Sequence, residues 1–185
     1  MNILGNIVTL RAIEEEDLPT LHKWANDPVL QNMLGDIHFP SSRMFHKEWF
    51  ERMTKDLLNL RFAVEAPGVG LIGISSIMDI SWRNNHAYHG LLLGESGTRG
   101  KGYGTDAVMA TMRYAFDEMH LERLNGSRIE YNLASRSLYI GKLGWTEEGS
   151  QKNYYYRAGR YWDRIVTRIL REEYYQLVKK TEYWG

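Results

Sequence analysis

The chain has 185 residues, 43% of them apolar and 25% charged, ordinary usage for a globular protein able to bury one sizeable core. Its 23 Lys and Arg balance 23 Asp and Glu, so no long-range field draws nucleic acid or an acidic membrane surface. Cysteine is absent, which excludes disulfides and any acyl-enzyme built on a thiol.

The start, Met1-Asn2-Ile3-Leu4-Gly5, has neither the basic nor the long apolar region of a signal peptide. No uncharged run approaches membrane-spanning length, so a cytoplasmic protein with no membrane or nucleic-acid partner is expected, as one domain over residues 1–185. Residues 6–12 alternate as a strand does. A helix follows, with Leu18, Leu21 and Trp24 at helical spacing, acidic residues at its start and Asn26-Asp27-Pro28 as its stop. The segment from Pro28 to Ser41 reads as a long connection, which points to a functional lid. Ser41-Ser42 can cap a helix over about residues 42–56.

Phe62-Ala63-Val64 and Leu71 to Ile77 read as strands joined by the turn Pro67-Gly68-Val69-Gly70, and His86 to Gly94 as a third. Three strands on short turns make an antiparallel meander. A glycine-rich run, Thr98-Arg99-Gly100-Lys101-Gly102-Tyr103-Gly104-Thr105, then leads into a helix near Asp106 that ends about His120. Leu121 to Glu130 is a strand, Asn132 to Gly144 a short helix ended by glycine, and Tyr154 to Leu170 a hairpin turning at Ala158-Gly159-Arg160. The order is βααβββαβαββ, an α+β arrangement with a mixed, mostly antiparallel central sheet flanked by helices.

Chemistry concentrates in the glycine-rich run. Glycines admit turn geometries closed to other residues, and the free N–H groups of the helix start favour an anion. Arg99 and Lys101 add positive charge, so the run reads as a cradle for a pyrophosphate. It is not a P-loop, because Tyr103 precedes Gly104-Thr105 where Lys then Ser or Thr is required. Nor is it the dinucleotide fingerprint, since the spacing is G-x-G-x-G with no clear βαβ unit. The run resembles the Arg/Gln-x-x-Gly-x-Gly/Ala signature of the GCN5-related N-acetyltransferases, with Arg99, Gly102 and Gly104 at the defined positions. The series Asn132…Ser135…Tyr139…Gly144-Trp145 resembles that superfamily's second signature. The opening, Leu10-Arg11…Glu16-Asp17-Leu18…Trp24-x-Asn26-Asp27-Pro28, is similar to the branch that acetylates ribosomal-protein N-termini, polyamines and some amino-sugars.

The resemblance implies the GNAT fold and transfer of an acetyl group from acetyl-coenzyme A to an amine, with no metal. It implies that Arg99, Gly100, Lys101, Gly102, Tyr103, Gly104 and Thr105 hold the pyrophosphate, that Asn132 contacts the pantetheine arm and that Ser135 contacts coenzyme A. It also implies that the backbone of Leu92, Leu93 and Gly94 pairs with pantetheine amides and polarises the thioester carbonyl, as an oxyanion hole does. Tyr139 would protonate the departing thiolate; a phenol near 10 sits just above a thiol near 8.5. Read without the family, Tyr139 is equally a half-buried aromatic bonded to backbone.

This sequence departs from the branch at Ala87-Tyr88-His89-Gly90, where relatives carry Glu in place of Tyr88, so a candidate base is missing. His86 and His89 could substitute, but three residues apart on a strand they face opposite ways; a packed histidine is the plainer reading of either. The acceptor is a small-molecule or peptide amine: a protein N-terminus, a polyamine or an amino-sugar. Its wall is expected from the Gln31 to Ser41 loop, with Met33, Leu34, Ile37, His38 and Phe39, and from the tyrosine-rich hairpin. Relatives often form homodimers, and the sequence leaves that state open here. A coenzyme A sensor without turnover is the alternative function.

Overall fold

The computed structural model describes residues 1–35 and 39–185. In chain order the elements are β1 (Ile3–Leu4), β2 (Thr9–Arg11), α1 (Leu18–Ala25), α2 (Pro28–Met33), α3 (Arg43–Met53), β3 (Leu60–Ala66), β4 (Gly70–Ser81) and β5 (His86–Leu93). Then come α4 (Tyr103–Arg113), β6 (Arg123–Ile129), α5 (Leu133–Arg136), β7 (Thr146–Arg157), β8 (Arg160–Leu170) and α6 (Arg171–Thr181).

The strands form one sheet in the order β1-β2-β3-β4-β5-β6-β8-β7. Every pairing is antiparallel except β5 with β6, which is parallel because α4 carries the chain back between them. The expected meander is β3-β4-β5. Three elements were not read from the sequence: β1, α2 and α6.

α2 replaces the first half of the expected structureless connection. Pro28 begins this helix rather than merely ending α1, because Asp27 caps it by accepting from the Val29 and Leu30 N–H groups. Asn26 clamps the base of the segment through two bonds to the Ser41 backbone, at 3.1 and 3.0 Å. Ile37 and His38, central to the expected lid, lie outside the described residues.

The core has two sides. Val108, Met109, Met112 and Phe116 of α4 and its continuation pack with Ile77, Leu124 and Ile169 on one face of the sheet. Leu21 and Trp24 of α1, with Trp49 and Phe50 of α3, cover Ala63, Ile74 and Leu92 on the other. Trp24 also dictates the end of β5. A Cβ on Gly94 would lie 2.1 Å from its buried indole ring, so only glycine lets the strand and that helix meet.

Candidate active site

β5 and β6 pair over three residues only, from His86↔Arg123 to Tyr88↔Asn125. Beyond Tyr88 the two strands part: β5 stays paired with β4 to Leu93↔Gly73, and β6 stays paired with β8 to Ile129↔Arg164. A wedge therefore opens between adjacent strands in mid-sheet. Backbone polarity along its β5 edge follows from one bond. The Gly94 N–H donates to Ile72 O at 2.9 Å, and in an antiparallel ladder such commitments alternate. Leu92 thus spends its backbone groups, and Gly94 its N–H, on β4, while Leu91 and Leu93 turn theirs toward the wedge. Of the three residues expected to offer backbone groups to a ligand, Leu93 alone has them facing the opening.

The glycine-rich run lies at the mouth of this wedge. Gly100 and Gly102 have φ of 78° and 84°, left-handed values that turn the chain sharply into α4. The helix starts at Tyr103, earlier than the Asp106 expected, with Gly102 as its N-cap. Among the described residues, the Tyr103, Gly104 and Thr105 N–H groups opening it have no partner. Arg99 and Lys101 are exposed and make no ion pair or side-chain hydrogen bond there either.

Asn132 is first a helix cap: its Oδ1 accepts from the Ser135 N–H at 3.0 Å, and its Nδ2 donates to Met33 O at 3.1 Å. One side chain thus starts α5 and anchors the end of α2. Asn preceding a helical run is an N-cap signal that would have revealed this role. α5 is α-helical only to Arg136 and continues as a wide π-helical turn over Ser137–Lys142. Such wide turns recur at functional sites.

Tyr139 lies against His89 and Trp145, with ring centroids 5.8 and 5.0 Å away. Its hydroxyl has no hydrogen-bond partner among the described residues. Burial pushes the phenol well above its ordinary range. His89 is buried, with Nδ1 3.1 Å from Ser76 O, so Nδ1 carries the proton and Nε2 is a bare acceptor without a partner among the described residues. Burial holds its pKa down at about 4. A base that weak does not take a proton from an ammonium at neutral pH, so His89 is a packed neutral histidine. Its contact with Tyr139 is what the sequence did not show.

This histidine gives the fold an acid sensitivity. With about 4 in the folded state against an ordinary 6.5, the unfolded chain binds the proton first. The contribution is whole above about pH 6.5 and is lost as pH falls toward 4, amounting to roughly 3 kcal/mol. His46, also lowered by burial, adds to the same trend. Thermal melts of His89→Gln between pH 7 and 4 are expected to show a flatter loss of Tm than the parent protein. Parallel profiles would assign the sensitivity elsewhere.

A family profile described as an acetyltransferase (GNAT) domain matches residues 8–146, a stretch that contains the wedge, the glycine run and Tyr139. The chain belongs to the GNAT acetyltransferase family. This acetyltransferase is 30% identical to the uncharacterized N-acetyltransferase YokL of the SPbeta prophage in Bacillus subtilis, over 92% of this chain and 93% of that one. It is 28% identical to the ribosomal protein uS5-alanine N-acetyltransferase of Escherichia coli, over 54% of this chain and half of that one. Its fold matches that of the spermidine N-acetyltransferase from Vibrio cholerae in complex with CoA and spermine, with a TM-score of 0.85, 24% identity and coverage of 92% and 99%. The GNAT fold expected from the order of elements is thus the observed one. Among its described residues no helix is long and apolar enough to cross a membrane.

Proposed function

We propose that this N-acetyltransferase moves the acetyl group of acetyl-coenzyme A directly to a primary amine, both being held at the β5–β6 wedge. The observation that carries the reading is the Leu91 and Leu93 backbone, turned toward the wedge and without a partner among the described residues. Strand backbone groups demand partners, and the amide-bearing pantetheine arm is a partner of matching extended form. The positive-φ glycines, the open N–H groups of α4, and Arg99 with Lys101 suit the pyrophosphate at its far end. The acetyl donor supplies a thioester carbonyl whose carbon accepts an amine and whose sulfur leaves.

The chain's own groups would then act as follows. The Leu93 N–H donates to the carbonyl oxygen as negative charge gathers there. Tyr139 stays protonated at neutral pH and offers its hydroxyl to the sulfur. Desolvation that raises the phenol raises a neighbouring thiolate too, so the proton is handed over only as the C–S bond breaks. Among the described residues no side chain of this wedge is a strong base, which leaves deprotonation of the incoming ammonium to solvent, and holding the two reactants together carries much of the rate. The protein-N-terminal and polyamine acceptors of the relatives are the first amines to assay.

Tyr139→Phe tests the assignment. Acetyl-coenzyme A affinity is expected to hold while turnover falls on the order of 10²-fold, the usual loss for a missing general acid. Unchanged turnover would make Tyr139 a packing residue. Binding of acetyl-coenzyme A with no thiol released to any amine would favour the sensor.

A further inference from the structure

The wall on the far side of the wedge is cationic. Alternation along β8 sets Arg160, Trp162 and Arg164 on one face, and Arg164 pairs with Ile129 at the end of β6. The end of α2 is met by neighbouring segments: Arg157 of β7 donates to Leu34 O at 3.5 Å, Asn132 to Met33 O at 3.1 Å, and the Tyr131 hydroxyl to Asn32 O. Arg160 stacks 3.3 Å over the Trp162 ring, which Tyr131 meets edge-on at 4.6 Å. Among the described residues Arg164 reaches neutral partners, the Tyr154 hydroxyl at 3.2 Å and Gln151 Oε1 at 3.5 Å, and its buried Nε has none.

The carboxylates nearest β8 are engaged. Glu147 holds Arg128 and Arg136, Glu148 holds Arg123 and Arg168, Asp163 holds Lys152, and Glu130 accepts from the Asp163 N–H at 3.1 Å. Among the described residues none pairs with Arg160 or Arg164. The carbonyls closing α2, the natural attractors of an ammonium, are consumed by Tyr131, Asn132 and Arg157. A polycation would meet repulsion here. An anion would meet two guanidinium groups and an orphaned donor, one strand (about 5 Å) from β6.

From this we infer that the acceptor is an amine bearing a second, anionic group, a phosphate or a carboxylate, which Arg160 and Arg164 hold beside Trp162. The inference rests on the transfer reading above and specifies its substrate class. A guanidinium recognises both anions through paired N–H donors, so the two sources must be separated by assay.

Thiol release is measured with glucosamine 6-phosphate against glucosamine, with alanine against alaninamide, and with spermidine. One anionic amine is expected to exceed its neutral partner and spermidine at least tenfold in kcat/KM, and the pair concerned names the anion. Arg160→Gln with Arg164→Gln is expected to cut that advantage below about threefold through the acceptor's KM, with the KM of acetyl-coenzyme A within about twofold of the parent. If the double variant misfolds, Arg160→Glu, at an exposed position, is expected to abolish the advantage by reversing charge. Preference for spermidine or for the neutral partners, or an advantage that survives these changes, overturns the inference. Calorimetric titration of the same amines into coenzyme A-loaded protein decides it independently of turnover. Anion-dependent binding that the arginine variants lose supports it even if no thiol is released, a result that would sink the transfer reading alone; equal binding of charged and neutral partners overturns it.

Discussion

Asp106→Ala is expected to destabilise the protein by on the order of 4 kcal/mol or more, lowering its Tm by roughly 10 °C or beyond. The carboxylate is 1% exposed and accepts four hydrogen bonds. Three come from the N–H groups of Asn6, Ile7 and Val8, at 2.9, 2.7 and 2.8 Å, and one from the Tyr183 hydroxyl at 2.7 Å. It therefore fastens the turn between β1 and β2, and the end of the chain after α6, onto the first turns of α4. Alanine would leave those buried donors without acceptors, and each such donor costs about 1–3 kcal/mol. Asp106→Asn keeps the shape but sets an NH2 against N–H donors, so a loss of intermediate size is expected. Melting within a few degrees of the parent protein would mean that water or backbone rearrangement replaces these bonds.

Asp106 also marks the boundary of what the sequence could tell. Patterns that act locally were readable: the alternation of the meander, the Ser42 cap, the glycine-rich turn into α4, and a strand order that needs only short connections. Asp106 sits at a helix start, where an acidic residue is ordinary, and nothing nearby shows that its partners lie near residues 7 and 183. The same holds for Gly94, whose glycine answers to Trp24, and for Tyr139, whose ring answers to His89. Such requirements are set by contacts between distant segments, and one sequence carries no trace of the pairing.

Other parts were legible and misread. Asp27-Pro28 is a cap followed by a proline at the first helical position, yet proline's reputation as a breaker hid α2. The site divides the same way. The motif spacing named the glycine run, Asn132 and Tyr139, but which backbone groups of residues 92–94 face the wedge depends on ladder phase. Ladder phase is fixed by the β4–β5 register, which no side-chain pattern encodes.

Gly104→Glu is expected to abolish acetyl-coenzyme A binding, weakening it 10²-fold or more by calorimetry, while Tm stays within a few degrees of the parent. Gly102 is the poorer place for this test, because its φ of 84° strains any side chain and would confuse a binding defect with a folding one. Gly104 has no such strain. A Cβ there would lie 3.2 Å from Leu93 Cδ1, 3.6 Å from Leu138 Cδ2 and 3.8 Å from Leu91 Cδ2. It would thus point between the end of β5 and the π-helical turn that carries Tyr139, at the wedge's mouth. The close leucine contact costs some packing, but a glycine is removed from a helix and an acid is added to its first turn, and both changes favour α4. The carboxylate would then occupy the space beside the open N–H groups and repel a pyrophosphate. Gly104→Gln, with the same bulk and no charge, apportions the loss: equal weakening in both makes the site sterically tight, whereas a milder loss in the amide makes it electrostatic. Parent-like affinity in both variants would move the pyrophosphate away from α4, and with it the reading of the wedge as the place where the acetyl group is held.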